Sequence, residues 1–120
     1  MEKIYKYQDL IVWQKAIELV VATYKLTKQF PREEVYGLTS QMRRAAVSIP
    51  SNIAEGRTRG SRKDFCHFLL IAYASGAELE TQIEIAKRLS ETCKLNFTEV
   101  DLLLNEVMRM LNSMINKLRS

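Results

Sequence analysis

The sequence predicts an all-α protein: an antiparallel, up-down-up-down four-helix bundle whose second helix is kinked near Pro50. Three observations carry this. Apolar residues recur at three- and four-residue spacing through four successive segments, the period of one face of a helix. The 120 residues include only four glycines and two prolines, too few turn residues for the hairpins of a sheet. The links between segments are short, and short links place consecutive helices antiparallel. A chain of this length forms one domain around one core. The four helices are expected at roughly 9–29, 33–56, 61–91 and 98–118, within one domain spanning 1–120.

Residues 1–8 read as a short extended arm, and Asp9 as the N-cap of the first helix. Leu10, Trp13, Ile17, Val20 and Tyr24 then form one apolar seam. Val12, Ala16, Leu19 and Leu26 form a second seam on roughly the opposite side. A helix that is apolar on two sides is buried on two sides. A bundle normally buries only one, so the second seam predicts a self-association interface at Val12, Ala16, Leu19 and Leu26.

Phe30-Pro31 ends this helix, because the residue before proline is biased out of the helical region. Pro31-Arg32-Glu33-Glu34 starts the next, with proline early and acids in the first turn. Gly37 is a point where a short turn gives way to the main helix. Val35, Leu38, Met42, Ala45, Ile49 and Ile53 hold the helical period across Pro50, which favours one kinked helix over two short ones. Ser48 or Ser51 is placed to satisfy the carbonyl that Pro50 frees. Arg57 to Gly60 is the loop, and Ser61-Arg62-Lys63-Asp64 is a capping-box variant. Phe65, Leu69, Ala72, Gly76, Leu79, Ile83 and Ala86 form the third seam, with a small-residue middle that admits a close neighbour. Thr98-Glu99-Val100-Asp101 repeats the capping variant. Val100, Leu104, Val107, Leu111, Met114 and Leu118 complete the fourth seam.

No apolar run approaches the roughly 18 residues of a membrane span. The N-terminus lacks the apolar core of a signal peptide, so a cytoplasmic location is expected. Cys66 and Cys93 form no CxxC pair and read as free, mostly buried thiols. His67 is the only histidine, and neighbouring Cys66 points about 100° away on a helix, so a zinc site lacks convergent ligands. The Glu-x-x-His pairs of di-iron bundles are missing. Glu80 and Glu84 suit a solvated face. Ser48, Ser51 and Ser61 have no evident base, and the Walker pattern is absent. The expectation is no catalytic residue, no metal and no cofactor.

What remains is charge. The net charge is +4. Between Arg43 and Lys63 stand six basic residues, Arg43, Arg44, Arg57, Arg59, Arg62 and Lys63, against Glu55, a local net of +5. On an ideal helix Arg43 and Arg57 share a face within about 40°, about 21 Å apart. Such a patch attracts phosphate backbones. The competing reading is ion pairing with the acidic second half, where Glu78 to Glu106 holds seven acids against three bases. Glu55 has Arg43, Arg44 and Arg59 as candidate partners.

One block is specific. Asp9-Leu10-x-x-Trp13-x-x-Ala16, Phe30-Pro31-x-Glu33-Glu34-x-Tyr36-Gly37-Leu38-Thr39-Ser40-Gln41-Met42-Arg43-Arg44-Ala45-Ala46 and Ser48-Ile49-Pro50-Ser51-Asn52-Ile53-Ala54-Glu55-Gly56 resemble the 23S rRNA-intervening-sequence proteins, also called the four-helix-bundle protein family. Phe65, Leu69, Ala72, Ser75, Glu78, Leu79, Glu80 and Thr81 continue the resemblance. It implies a small up-down bundle that assembles as a ring-like homopentamer. It also implies a bacterial protein of the kind encoded within insertions in large-subunit ribosomal RNA genes. A related branch is accessory to the reverse transcriptases of diversity-generating retroelements, where a basic surface contacts nucleic acid. The expected function is therefore non-catalytic binding of RNA or DNA by an oligomer, through Arg43, Arg44, Arg57, Arg59, Arg62 and Lys63, with a nucleic-acid-processing protein as a further partner. The alternative is a protein–protein adaptor whose basic residues are structural.

Overall fold

The computed structural model describes residues 6–120. Among them are four α-helices and no strand: α1 (Ile11–Thr27), α2 (Ser40–Arg59), α3 (Arg62–Arg88) and α4 (Thr98–Arg119). Each helix packs on two neighbours, α1 and α3 both lying against α2 and α4. Side chains fix the directions. Arg43, early in α2, bonds Thr27 at the end of α1. Lys87, late in α3, pairs with Asp101 at the start of α4 at 2.7 Å. The bundle is therefore up-down-up-down, and it measures 55 × 22 × 22 Å.

The core follows the expected periods in α2, α3 and α4. Met42, Ala45, Ile49 and Ile53 are fully buried, as are Leu69, Ala72, Leu79 and Ala86 on α3 and Val107 and Leu111 on α4. The first helix needs a correction. Val12, Ala16, Leu19 and Leu26, assigned from sequence to a self-association interface, lie inside the chain's own core at 3%, 0%, 0% and 3% exposure. Ala16 and Ala22, with Thr23 and Thr27 bonding back to carbonyls of their own helix, let α1 sit close to its neighbours on that side. The opposite seam is divided: Leu10, Trp13 and Val20 are half-buried against the edge of the core, and Ile17 and Tyr24 are exposed.

Several boundaries also move. Of the proposed extended arm, residues 1–5 lie outside the described residues, and Tyr7–Asp9 form a 3-10 turn. Asp9 closes that turn by accepting from the Lys6 amide at 3.2 Å, and Leu10 takes the N-cap position of α1. The second helical region is divided into a 3-10 turn (Arg32–Glu34), a π-turn (Val35–Thr39) and α2. Non-helical backbone falls at Gly37, where Glu34 accepts from the Leu38 amide. α2 runs on through Pro50 and extends to Arg59, with Gly60 in the left-handed conformation (φ 88°) that ends it. Ser51 bonds the carbonyl of Val47 and Ser48 bonds Ser75 on α3, so neither takes the carbonyl that Pro50 frees. Ser61 caps α3 through the Asp64 amide as expected. Thr98 does not cap α4; its amide donates to Asn96 at 3.0 Å. Cys66 is half-buried and Cys93 exposed, so neither is a core thiol.

The Ser48-to-Gly56 motif is a packing motif. Asn52 donates to the Ser48 carbonyl at 2.8 Å and the Ser48 hydroxyl meets that of Ser75 at 2.8 Å, which seams α2 to α3. One turn on, a Cβ added to Gly56 would lie 2.6 Å from Phe68 Cβ. Gly56→Ala should therefore destabilise by about 1–3 kcal/mol through overpacking, even though alanine favours a helix by about 1 kcal/mol. Thermal melting checks this; an unchanged or raised Tm would show that α3 has room to withdraw.

Candidate nucleic-acid interface

Three helix ends meet at one end of the bundle. α2 stops at Arg59, α3 begins at Arg62 and α4 stops at Arg119. Arg62 ties them together. Its guanidinium donates to the carbonyls of Lys117 at 2.8 Å and Leu118 at 3.2 Å. Those carbonyls belong to the last turn of α4, which has no helical partner for them, and the planar fork of arginine matches the pair. The helix turns that converge here carry Arg57, Arg59, Arg62, Lys63, Lys117 and Arg119, six basic residues against the acidic Glu55 and Asp64. The basic residues in the last turns of α2 and α4 oppose the negative end of each dipole, whereas Arg62 and Lys63 stand at the positive end of α3.

Arg59 is the partner of Glu55, at 2.9 Å, with both side chains about half exposed. Its guanidinium also stands 5.0 Å over the ring of Phe68. An exposed pair of this kind contributes at most about 1 kcal/mol, so a phosphate competes for the guanidinium easily. The ion pairs among the described residues include none of Arg57, Lys63, Lys117 and Arg119.

Arg43 and Arg44 are placed differently. They lie in the first turn and a half of α2, at the opposite end from Arg57 and Arg59. Arg43 turns to α1, donating to Thr27 Oγ1 at 2.9 Å and stacking 4.4 Å over the ring of Tyr24. Arg44 turns to α3, pairing with Glu78 and bonding Gln41. Both join helices. The six basic residues picked out by sequence thus divide into a packing pair and a group of four at the helix junction.

The sequence pattern of the 23S rRNA-intervening sequence proteins matches residues 8–113. The chain belongs to that family. A solved structure is similar to it along most of its length: a protein with unknown function from the S23 ribosomal protein family of Bacteroides thetaiotaomicron, with a TM-score of 0.71 and 26% identity. The likeness covers 88% of this chain and 98% of that one. No curated protein matches the sequence.

In this 23S rRNA-intervening sequence protein, Lys117 and Arg119 are the members of the basic junction that sequence reading missed. They lie more than fifty residues from Arg62, so no window of local charge contains them all. The available signal was topological: an up-down bundle puts the end of the fourth helix beside the loop between the second and third. No group of three or more His, Cys, Asp and Glu gathers to hold a metal among the described residues. Among the described residues no helix is long and apolar enough to cross a membrane.

Proposed function

We propose that this family member is a non-catalytic, cytoplasmic nucleic-acid-binding bundle, with RNA as its ligand, that works as a homo-oligomer. One observation carries the reading: the helix turns that converge at this end hold six basic residues against two acidic ones. Such a surface attracts phosphates without reading sequence. Arg57, Lys63, Lys117 and Arg119 are the principal contacts, and Arg59 exchanges Glu55 for phosphate. Arg43 and Arg44 hold the bundle. Membership of a family named for an intervening sequence in 23S rRNA supports RNA as the ligand.

Self-association is supported by the outer face of α1. Ile17, Val21 and Tyr24 are 37%, 50% and 43% exposed, and Val47 on α2 is 40% exposed. An apolar stripe of this kind suits a second copy of the chain. A ring such as the pentamer implied by the resemblance would repeat the basic junction, and repeated sites on one RNA raise avidity without new contacts.

A titration with a short single-stranded RNA across a range of salt tests the phosphate reading. Five engaged cations, with Arg62 held by the α4 carbonyls, predict a log–log slope of about −3.5. A flat slope, or no uptake at low salt, would overturn it. The adaptor reading has its own support: Arg43, Arg44 and Arg62 are held by internal bonds, and the exposed stripe suits a protein partner. It predicts assembly without RNA uptake.

A further inference from the structure

We infer that the basic junction takes an unpaired nucleotide, its base stacked on His67 and its phosphate held by Lys63. This rests on the RNA-binding reading and narrows it from RNA in general to unpaired, single-stranded RNA.

A cleft of about 510 Å³ opens between the start of α3 and the end of α4, lined by Arg62, Lys63, Cys66, His67, Leu70 and Leu118. That volume lies within the roughly 300–1,000 Å³ of ligand clefts. Its composition is amphipathic in a particular way. Leu70, Leu118 and Cys66 give an apolar wall, and Arg62 and Lys63 give positive charge. A phosphate alone has no use for the apolar wall. An apolar or acidic peptide has no use for a flat aromatic between two cations. A nucleotide uses all three, because it joins a planar, weakly polar base to a phosphate.

His67 is the planar element. It is exposed. Its ring meets that of Phe68 edge to face, with centroids 5.2 Å apart and an interplanar angle of 79°. Phe68 in turn lies beneath the Arg59 guanidinium at 5.0 Å. Phe68 is half-buried, so it anchors both groups. The result is a row of Lys63, His67, Phe68 and Arg59, with aromatic surface set between cations. Interleaved stacking surface and positive charge is the physical signature of single-strand recognition. Paired bases in a duplex present no free face to stack on, and RNA is read mainly where its bases are unpaired. Arg62 is a positioning residue here: its bonds to the Lys117 and Leu118 carbonyls fix the α4 wall of the cleft.

The test is fluorescence anisotropy of the full chain with a labelled single-stranded oligouridylate and with an RNA duplex of the same length. Wild type should bind the single strand more tightly. His67→Ala should weaken single-strand binding about tenfold, the scale of one lost base–aromatic stack. It should leave duplex binding and the salt slope unchanged, and His67→Phe should restore the affinity. His67 lies on the surface, so the variants fold; circular dichroism verifies this. Equal binding of single strand and duplex, or a His67→Ala variant that matches wild type on the single strand, overturns the inference while the phosphate reading stands. No binding of either RNA overturns both.

Discussion

The triple variant Arg57→Glu, Lys63→Glu and Arg119→Glu is expected to lose at least about tenfold in RNA affinity and to flatten the salt slope by about 2. These three residues stand on three different helices, whose ends converge because the bundle brings the end of α4 to the α2–α3 turn. None is in an ion pair among the described residues, so each is available to a phosphate. The required control changes net charge equally at the other end. Lys25→Glu, Lys28→Glu and Lys94→Glu are all exposed positions, near the end of α1 and in the α3–α4 connection. If binding depends on where charge sits, the control triple keeps most of the slope. If both triples weaken binding alike, attraction is to overall charge and the junction is not a site.

Leu79→Ala is the second large effect, and it falls on stability. Leu79 is fully buried near the middle of α3 and faces the shared core of all four helices. Removing its side chain forfeits transfer energy and leaves a cavity, together about 2–5 kcal/mol. Domains commonly hold only about 5–15 kcal/mol in total, so the urea midpoint should fall steeply with the slope of the transition retained. Leu102→Ala is the contrast. Leu102 is 66% exposed on α4, and its truncation should stay within about 0.5 kcal/mol. Comparable losses at both positions would mean that the outward face of α4 is covered in the protein's working form.

Helix number, order and the inward faces of α2, α3 and α4 were legible in the sequence, because a single apolar stripe admits one orientation. Met42, Ala45, Ile49 and Ile53 read as core and are core. Helix one was not legible in the same way. It carries two stripes, and hydrophobicity alone does not say which one turns inward. Size decides: alanines and threonines allow close approach on the Val12–Leu26 side, while Trp13 and Tyr24 need room at the rim. The caps failed where side chains had alternatives. Thr98 resembles a cap, but α4 already begins at Thr98, and the Asp101 amide that such a cap would bind donates to the Phe97 carbonyl.

The candidate site was half legible. Local charge marked Arg57, Arg59, Arg62 and Lys63, all of which lie at the junction. The same charge marked Arg43 and Arg44, whose partners Thr27, Tyr24 and Glu78 stand on other helices and are not visible from spacing. Lys117 and Arg119 required the topology. His67 carries no metal-ligand pattern in the sequence, and its place beside Lys63 and Leu118 follows from the packing of α3 on α4.

The measurement that tests the central claim most directly is amide chemical-shift mapping of the isotope-labelled protein during titration with single-stranded RNA. The account predicts that perturbed amides concentrate in residues 57–67 and 117–119, the ends of α2 and α4 and the start of α3. Perturbations centred instead on residues 17–28 and 43–47, around the outer face of α1 and the Arg43–Tyr24 contact, would place the RNA elsewhere and contradict it.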